Sequence, residues 1–343
     1  MISPIDIELA NKIKNLIDGS KRVLIVQPDN PDGDSMGSAL AMEQILMLMD
    51  KETEMVCGIK IPDYLAYLPG WDRVSQEVSN NYDLAILLDT SSLSLIENFT
   101  RHEKQIGLSK HPLIVIDHHA TKPDIDFASV MLVNPDAAAT SQVIYALIKQ
   151  LDLKLNGPAR NALTASILSD TLGLTTDNVS AQTMFTVAEL VEQGVSLSDL
   201  ETARRSLMRK SPELVHYKGQ LLERIQYFED DRIAFLSIPW DEIERYSPLY
   251  NPPMLVLEDM RLTTNTDVAI VLKLYPEGKV TAKIRSNHGY PVAGALAEAF
   301  GGGGHEYAAG FKLTDGRDPE QLIKDMVSKA SQLLKSQDQN ATV

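Results

Sequence analysis

The rhythm of apolar positions changes about halfway along the chain. Up to about residue 180, short unbroken runs of Val, Ile and Leu alternate with longer mixed stretches. RVLIVQ (22–27), EMVCGI (54–59), LAILLDT (84–90) and LIVIDHH (113–119) read as strands. They do not alternate apolar with polar, which predicts burial on both faces, as in a parallel sheet. SMGSALAMEQILMLMD (35–50), ATSQVIYALIKQL (139–151) and residues 158–170 read as helices between and after them. Strands separated by helices predict an α/β, doubly wound parallel sheet over residues 1–185. The stretch 180–225 is helical and charged, and residues 186–225 are expected to form a helical linker. Beyond it, RIAFLSIP (232–239) reads as a strand and 268–286 as a hairpin turning at PEGK. VAGALAEAF (292–300) reads as a helix that runs into GGGGHEYAAG, and 319–335 as a last helix. A smaller C-terminal α/β domain is therefore expected over 226–336, with the polar residues 337–343 as a disordered tail.

Composition narrows the function classes. The 343 residues leave room for two or three domains. The net charge of −15 works against tracking along long duplex DNA or RNA, where affinity comes from Lys and Arg on phosphates. It leaves open a small phosphorylated substrate held by a few groups and metal ions. No apolar run reaches the length of a membrane helix, and the N-terminus shows no basic leader followed by an apolar core. The single cysteine, Cys57, reads as a buried strand residue and makes no intrachain disulfide. A cytoplasmic location without membrane association is the expectation.

The chemistry gathers at strand ends. The first strand runs out into PDNPDGDSMGS, which offers Asp29, Asp32 and Asp34. The strand at 84–90 ends in Asp89, and that at 113–119 in Asp117, His118 and His119. A further acid, Asp170, closes the helical run in SILSDTLG. In an open α/β sheet, ligands bind beyond the carboxyl ends of the strands, near a switch in strand order. Four carboxylates and an imidazole in one crevice would repel one another or take up protons, and divalent ions resolve the conflict. Oxygen-rich ligands with one or two imidazoles suit Mn²⁺ or Mg²⁺, and two such ions form the clamp of phosphoryl transfer. Plainer readings stand beside this one. Asp32 also suits a turn, Asp89 and Asp170 suit helix caps, and a lone strand-end histidine is usually structural. The joint pattern favours the site, because caps alone do not explain acids ending three apolar strands.

These segments resemble the ordered motifs of the DHH phosphoesterases. NPDGDSMGS, ILLDTSS, IDHHAT and ILSDTLG look like the four N-terminal motifs. GGGGHEYAAG, with KIRS upstream, looks like the signature of the family's associated C-terminal domain. The two-domain form is similar to the nanoRNase/pAp phosphatase group, related to RecJ and GdpP. The resemblance implies a hydrolase for short oligoribonucleotides, linear dinucleotides such as pApA, or the bisphosphate pAp. It implies two Mn²⁺ or Mg²⁺ ions, with Asp32 on the first, Asp34, His118 and Asp170 on the second, and Asp89 bridging them. His119 would contact the scissile phosphate, and Asp117 would support the histidines from behind. In the C-terminal domain, Arg285 and Ser286 would contact substrate. Gly302, Gly303, Gly304 and His305 would hold a phosphate in an open, glycine-rich anion nest. A homodimer is implied by the resemblance alone. His288 is a weaker candidate, and His102, His111 and His216 read as surface residues.

One position departs from the family pattern. The first motif normally opens with a histidine four residues before the first Asp, and here Pro28 stands there. Proline offers no side-chain ligand, so the first metal site is expected to be weaker, with Asp29 or Gln27 as the neighbours able to compensate. This opens one alternative, a nucleotide-binding protein with reduced or lost catalysis. A cyclic-dinucleotide phosphodiesterase is another. The family's pyrophosphatase branch disagrees with the C-terminal signature, and a long-strand nuclease disagrees with the acidic surface.

Overall fold

The strand β1 (Arg22–Gln27) is shared between two hydrophobic cores. Val23 and Ile25 face one, and Leu24 and Val26 the other. The computed structural model describes residues 5–79, 81–100, 107–120 and 122–341. The strands β2 (Glu52–Cys57), β3 (Val74–Ser75), β4 (Leu84–Leu88), β5 (Leu113–Asp117) and β6 (Val130–Val133) complete a six-stranded sheet around β1. Its order is β3-β2-β1-β4-β5-β6, with every pairing parallel. The strand order reverses between β1 and β4. The carboxyl ends of β1, β4 and β5 therefore flank the switch point at which such sheets bind ligands.

On the Val23/Ile25 side the core is built by α1 (Ile7–Asp18), α2 (Gly33–Leu48), α4 (Thr140–Gln150), α5 (Gly157–Asp170) and α6 (Ala181–Glu192). The other side is closed mainly by loop and short-turn residues such as Tyr82, Ile96, Leu108 and Ile125, near the single turn α3 (Glu97–Thr100). The helix α7 (Leu197–Leu207) follows α6.

Close approach of α2 to α5 depends on two glycines one turn apart. A Cβ at Gly33 would stand 2.0 Å from Ser169 Oγ, and one at Gly37 would stand 2.8 Å from the Ala162 carbonyl oxygen. Bare backbone at both positions lets the helices meet and carries Asp34 into contact with α5. The "DG" pair, a turn signal on its own, is here the start of a buried helix. Asp32 is its N-cap, accepting from the Asp34 and Ser35 backbone N–H groups at 2.9 and 3.0 Å.

The chain divides into two compact units between Arg209 and Lys210. The helices expected to link two domains are shared out accordingly. Val187 and Leu190 of α6 join the first unit's core. Leu214, Tyr217 and Leu221 of α8 (Pro212–Glu223) join a core of the second.

In the second unit come β7 (Gln226–Phe228), β8 (Ile233–Ile238), α9 (Trp240–Tyr246), α10 (Pro253–Arg261), β9 (Val268–Leu274) and β10 (Val280–Ser286). They are followed by α11 (Ala293–Glu298), β11 (Gly303–His305), β12 (Ala308–Leu313) and α12 (Pro319–Ala341). The sheet order is β11-β12-β10-β9-β8-β7, and β8–β9 is its one parallel pairing among the described residues. Alternation along β8 sends Ile233 and Phe235 toward the core shared with α11 and α12, and Ala234 and Leu236 toward that shared with α8, α9 and α10.

Two expectations change. The glycine run is not an open loop: Gly303–His305 pair with Ala308–Gly310 as an edge strand. A Cβ at Gly302 would stand 2.3 Å from the Gly310 carbonyl oxygen, so close backbone approach is the reason for glycine there. The polar tail is helical as far as Ala341, because α12 runs on past the expected end at 335. Among the described residues no helix is long and apolar enough to cross a membrane.

Candidate active site

At the end of β5 the backbone turns sharply around one buried carboxylate. Asp117 is fully buried. Its Oδ1 accepts from the His118 N–H at 2.8 Å, the His119 N–H at 3.1 Å and His119 Nδ1 at 2.8 Å. Burial pushes the Asp117 carboxyl up, but these bonds outweigh it and hold the group below the usual carboxylate range. The same contact raises the His119 imidazole above its ordinary value, against burial, so the pair favours carboxylate and imidazolium.

His118 is turned the other way. Its Nδ1 lies 3.2 Å from the Ala137 carbonyl oxygen, which can only accept, so Nδ1 carries the proton. Nε2 is left facing Asp170 Oδ2 at 3.5 Å, Asp34 Oδ2 at 3.6 Å and Asp89 Oδ1 at 3.8 Å. Each acid comes from a different element: Asp34 from α2, Asp89 from the end of β4 and Asp170 from the last turn of α5. Asp89 is held at φ +63°, a left-handed backbone uncommon for a side chain with a Cβ.

The carboxylates are fixed from behind. The Thr140 N–H donates to Asp34 Oδ2 at 2.7 Å, and the Thr140 hydroxyl to Asp89 Oδ1 at 2.8 Å. Ser38 Oγ donates to Asp34 Oδ1 at 3.2 Å, and Ser166 Oγ donates to the same oxygen. Burial, then the charges of Asp34 and Asp32, pushes Asp89 well above the usual carboxylate range. Burial and then Asp34 push Asp170 up to about 6.

Among the described residues two trios emerge, Asp34–His118–Asp170 and Asp89–His118–His119, the donor atoms within each lying within 4.8 Å of one another. Buried acids that repel each other around an imidazole nitrogen form a donor set that a divalent cation satisfies. The residues present therefore fit a metal ion.

Two family models match the chain. The DHH family N-terminal domain matches residues 22–172, and the DHHA1 domain matches residues 256–336. The chain belongs to the DHH family of phosphoesterases. The bifunctional oligoribonuclease and PAP phosphatase NrnA of Thermus thermophilus is 28% identical over 297 residues, covering 86% of this chain and 85% of that protein. The Bacillus subtilis protein of the same name is 24% identical over 299 residues, covering 86% and 90%. A crystal structure of an exopolyphosphatase-related protein from Bacteroides fragilis superposes with a TM-score of 0.80 at 21% identity, covering 98% of this chain and 99% of that one. This last likeness shows that the fold is shared.

Of the DHH-type positions named from sequence, Asp32 joins neither trio. Its carboxylate caps α2, although its charge still acts on Asp89 and Asp170. Asp29 is engaged away from the cluster, its N–H donating to the Leu95 carbonyl and its Oδ2 accepting from the Asn98 N–H at 2.7 Å. Pro28 offers its carbonyl to the Cys57 thiol at 3.3 Å. Gln27 is fully buried, and neither atom of its side-chain amide has a hydrogen-bond partner among the described residues.

In the DHHA1 unit, Arg285, Gly302, Gly303 and Gly304 line a cleft of about 600 Å³. Ser286 does not. Alternation along β10 turns it inward, where its hydroxyl donates to the Glu306 carbonyl at 3.1 Å. His305 ends the edge strand exposed and outside the cleft lining. His288 is exposed beside the Tyr307 ring, His216 is exposed, and His111 is half-buried against Tyr82. His102 lies outside the described residues.

Five participants escaped the sequence reading. Thr140, Ser38 and Ser166 brace the carboxylates, and Lys283 and Lys312 line the cleft beside Arg285. Three had a signal. Ser38 follows Asp34 by four and Ser166 precedes Asp170 by four, one helical turn in each case, and Lys283 precedes Arg285 by two, the same face of a strand.

Proposed function

We propose that this chain hydrolyses phosphoesters at the ends of short nucleotides: oligoribonucleotides of a few residues, pApA, or pAp. The observation that carries the reading is His118 Nε2 facing Asp34, Asp89 and Asp170 from a fixed tautomer at the switch point of the sheet. The names of the Thermus and Bacillus relatives support the substrate class. Asp34, His118 and Asp170 would hold one Mn²⁺ or Mg²⁺, and Asp89 would share it with a second ion near Asp32. That second ion would be held more weakly, since Pro28 brings no imidazole. When bound, such ions supply a Lewis acid for the phosphorus oxygens and an acidified water.

The chain's own residues supply the rest. Thr140, Ser38 and Ser166 keep the acids in place, so little reorganisation accompanies the reaction. His119, charged through its bond to Asp117, offers a cation and donor to a phosphate oxygen. In the second unit, Arg285 and Lys283 offer donors to an anionic group. The net charge of −15 agrees with a short ligand, since a long strand would meet general repulsion.

A substrate panel with Mn²⁺ tests the reading: pAp, pApA, pGpG, a five-nucleotide RNA and cyclic di-AMP, with Asp89→Ala as the blank. Metal-dependent product from the linear substrates is expected in wild type alone. Equal behaviour of the two proteins on all five sinks it. Turnover of cyclic di-AMP alone makes the chain a cyclic-dinucleotide phosphodiesterase, and binding without product makes it a nucleotide-binding protein.

A further inference from the structure

Beside the acidic cluster, α5 and α7 wall a second cleft of about 520 Å³, within the usual size of a small-ligand site. The α5 residues that line it are Ala165, Leu168 and Ser169, whereas Ser166 and Asp170, one helical turn apart, face the acids. The two faces adjoin, since successive residues on a helix turn by about 100°. The cleft thus borders the proposed phosphate site around one helix.

Its lining suits a flat group with apolar faces and a polar edge. Leu168, Leu172, Leu197 and Leu200 give apolar walls, with the Tyr67 ring beside them. Leu172 is 76% exposed and held at φ +48°, outside the range that a leucine prefers. A bulky apolar side chain held out in water by strained backbone is a pattern of binding sites. Polar groups are few and directed. Arg204 is pinned by Glu201, which accepts from its Nε at 2.8 Å and its Nη2 at 2.9 Å, and a guanidinium fixed in this way presents a plane on which a ring stacks. The Tyr67 hydroxyl and the Ser169 hydroxyl both approach Gly33, which directly follows Asp32.

We propose that this cleft receives the base of the nucleotide whose phosphate lies on the acidic cluster. The proposal rests on the phosphoesterase reading for the position of the phosphate. A ligand with a phosphate at one end and a flat, polar-edged ring at the other matches the paired sites. A lipid tail would have no use for Arg204, Ser169 and the Tyr67 hydroxyl, and a bare phosphate would have no use for the leucines.

Calorimetry with AMP and with ribose 5-phosphate, both with Mn²⁺ present, reads the base, because the second ligand carries only an anomeric hydroxyl in its place. Wild type is expected to bind AMP about ten-fold more tightly or better. Leu197→Trp, which fills the cleft from its half-exposed rim, is expected to erase that preference and leave ribose 5-phosphate binding unchanged. Arg204→Ala, at an exposed position that tolerates truncation, is expected to reduce the preference several-fold. Equal binding of the two ligands by wild type overturns the proposal. So does an AMP preference that survives both substitutions, or a loss shared equally by ribose 5-phosphate. Absence of pApA hydrolysis with the AMP preference intact counts against the phosphoesterase reading and leaves the base site standing.

Discussion

The Thr140 hydroxyl donates to Asp89 Oδ1 at 2.8 Å, while the same residue's backbone N–H holds Asp34 Oδ2 at 2.7 Å. One residue at the first turn of α4 thus sets the spacing of two buried acids that come from different elements. Partners of this kind orient metal ligands, and losing one costs roughly 10–100-fold in metal affinity or activity. Thr140→Val keeps the shape and removes the hydroxyl, so Mn²⁺ binding, followed by electron paramagnetic resonance, is expected to weaken by about that factor. Thr140→Ser, which restores the donor, is expected to return it to within a few-fold. Equal affinities in all three proteins would leave Thr140 with no part in the site.

The close approach of α2 and α5 makes Gly37 a second test. A Cβ there meets the Ala162 carbonyl oxygen at 2.8 Å and Ser166 Cβ at 2.6 Å, and the former is backbone that moves only with its helix. Gly37→Ala is expected to cost about 1–3 kcal/mol, as overpacking generally does. Displacement of α5 also shifts Asp170 away from Asp34. Chemical denaturation should therefore show a lower midpoint, and Mn²⁺ titration a weaker site.

How far the site was legible follows from where each residue's partner lies. The strands and the acids at their ends could be read, because unbroken apolar runs and an abrupt polar stop are local signals. Gly33 looked like a turn residue, and Gly37 stood in the expected helix with no packing role, because α5, the helix they accommodate, is more than a hundred positions away. Thr140 looked like a helix-start residue, and its hydroxyl acts on Asp89, 51 residues earlier. The resemblance of KIRS pairs Ser286 with Arg285, neighbours that period two in a strand sends to opposite faces. The glycine run looked like a free loop because its pairing partner, β12, is itself short and weakly patterned.

The pH dependence of the metal-free protein carries a definite sign. Asp170 has its carboxyl raised from 3.8 to about 6 in the folded state, through burial and then Asp34. Between those values the folded chain binds more protons than the unfolded one, so stability falls as pH rises through that window. Measured against Asp170→Asn, which has no such proton to lose, wild type is expected to lose thermal stability from pH 4 to 6 and then level off. Mn²⁺ competes with the same proton, so its stabilising effect should be larger at pH 7.5 than at pH 5. A wild-type protein that gained stability relative to Asp170→Asn across pH 4–6 would contradict the assignment.

Pro28 marks the other half of the metal question. Its ring offers no ligand atom, and its carbonyl is taken by the Cys57 thiol at 3.3 Å. Pro28→His is expected to strengthen the weaker of two Mn²⁺ isotherms by roughly ten-fold, within the range that ligand-shell changes produce. The tighter isotherm, assigned to Asp34, His118 and Asp170, should stay where it is. No movement of either would show that the first motif's missing imidazole does not limit metal binding.

Arg285 and Ser286 are neighbours in sequence with opposite surroundings, and kinetics can separate them. Arg285 lines the 600 Å³ cleft beside Lys283, whose ammonium is pushed down by burial and then by the Arg285 and Lys273 charges. Cations this close, with no ion pair to either among the described residues, favour an anionic ligand, which would relieve their repulsion. Arg285→Ala is expected to raise KM for pApA about ten-fold or more with kcat nearly unchanged, the signature of lost uniform binding. Lys283→Ala should do the same more weakly, since a lysine binds phosphate as a point charge without the fork of an arginine. Ser286→Ala removes an inward hydroxyl from the Glu306 carbonyl and should lower stability by about 1 kcal/mol, a typical buried hydrogen bond, without moving KM. A KM effect at Ser286 equal to that at Arg285 would mean that the strand presents the opposite face to substrate.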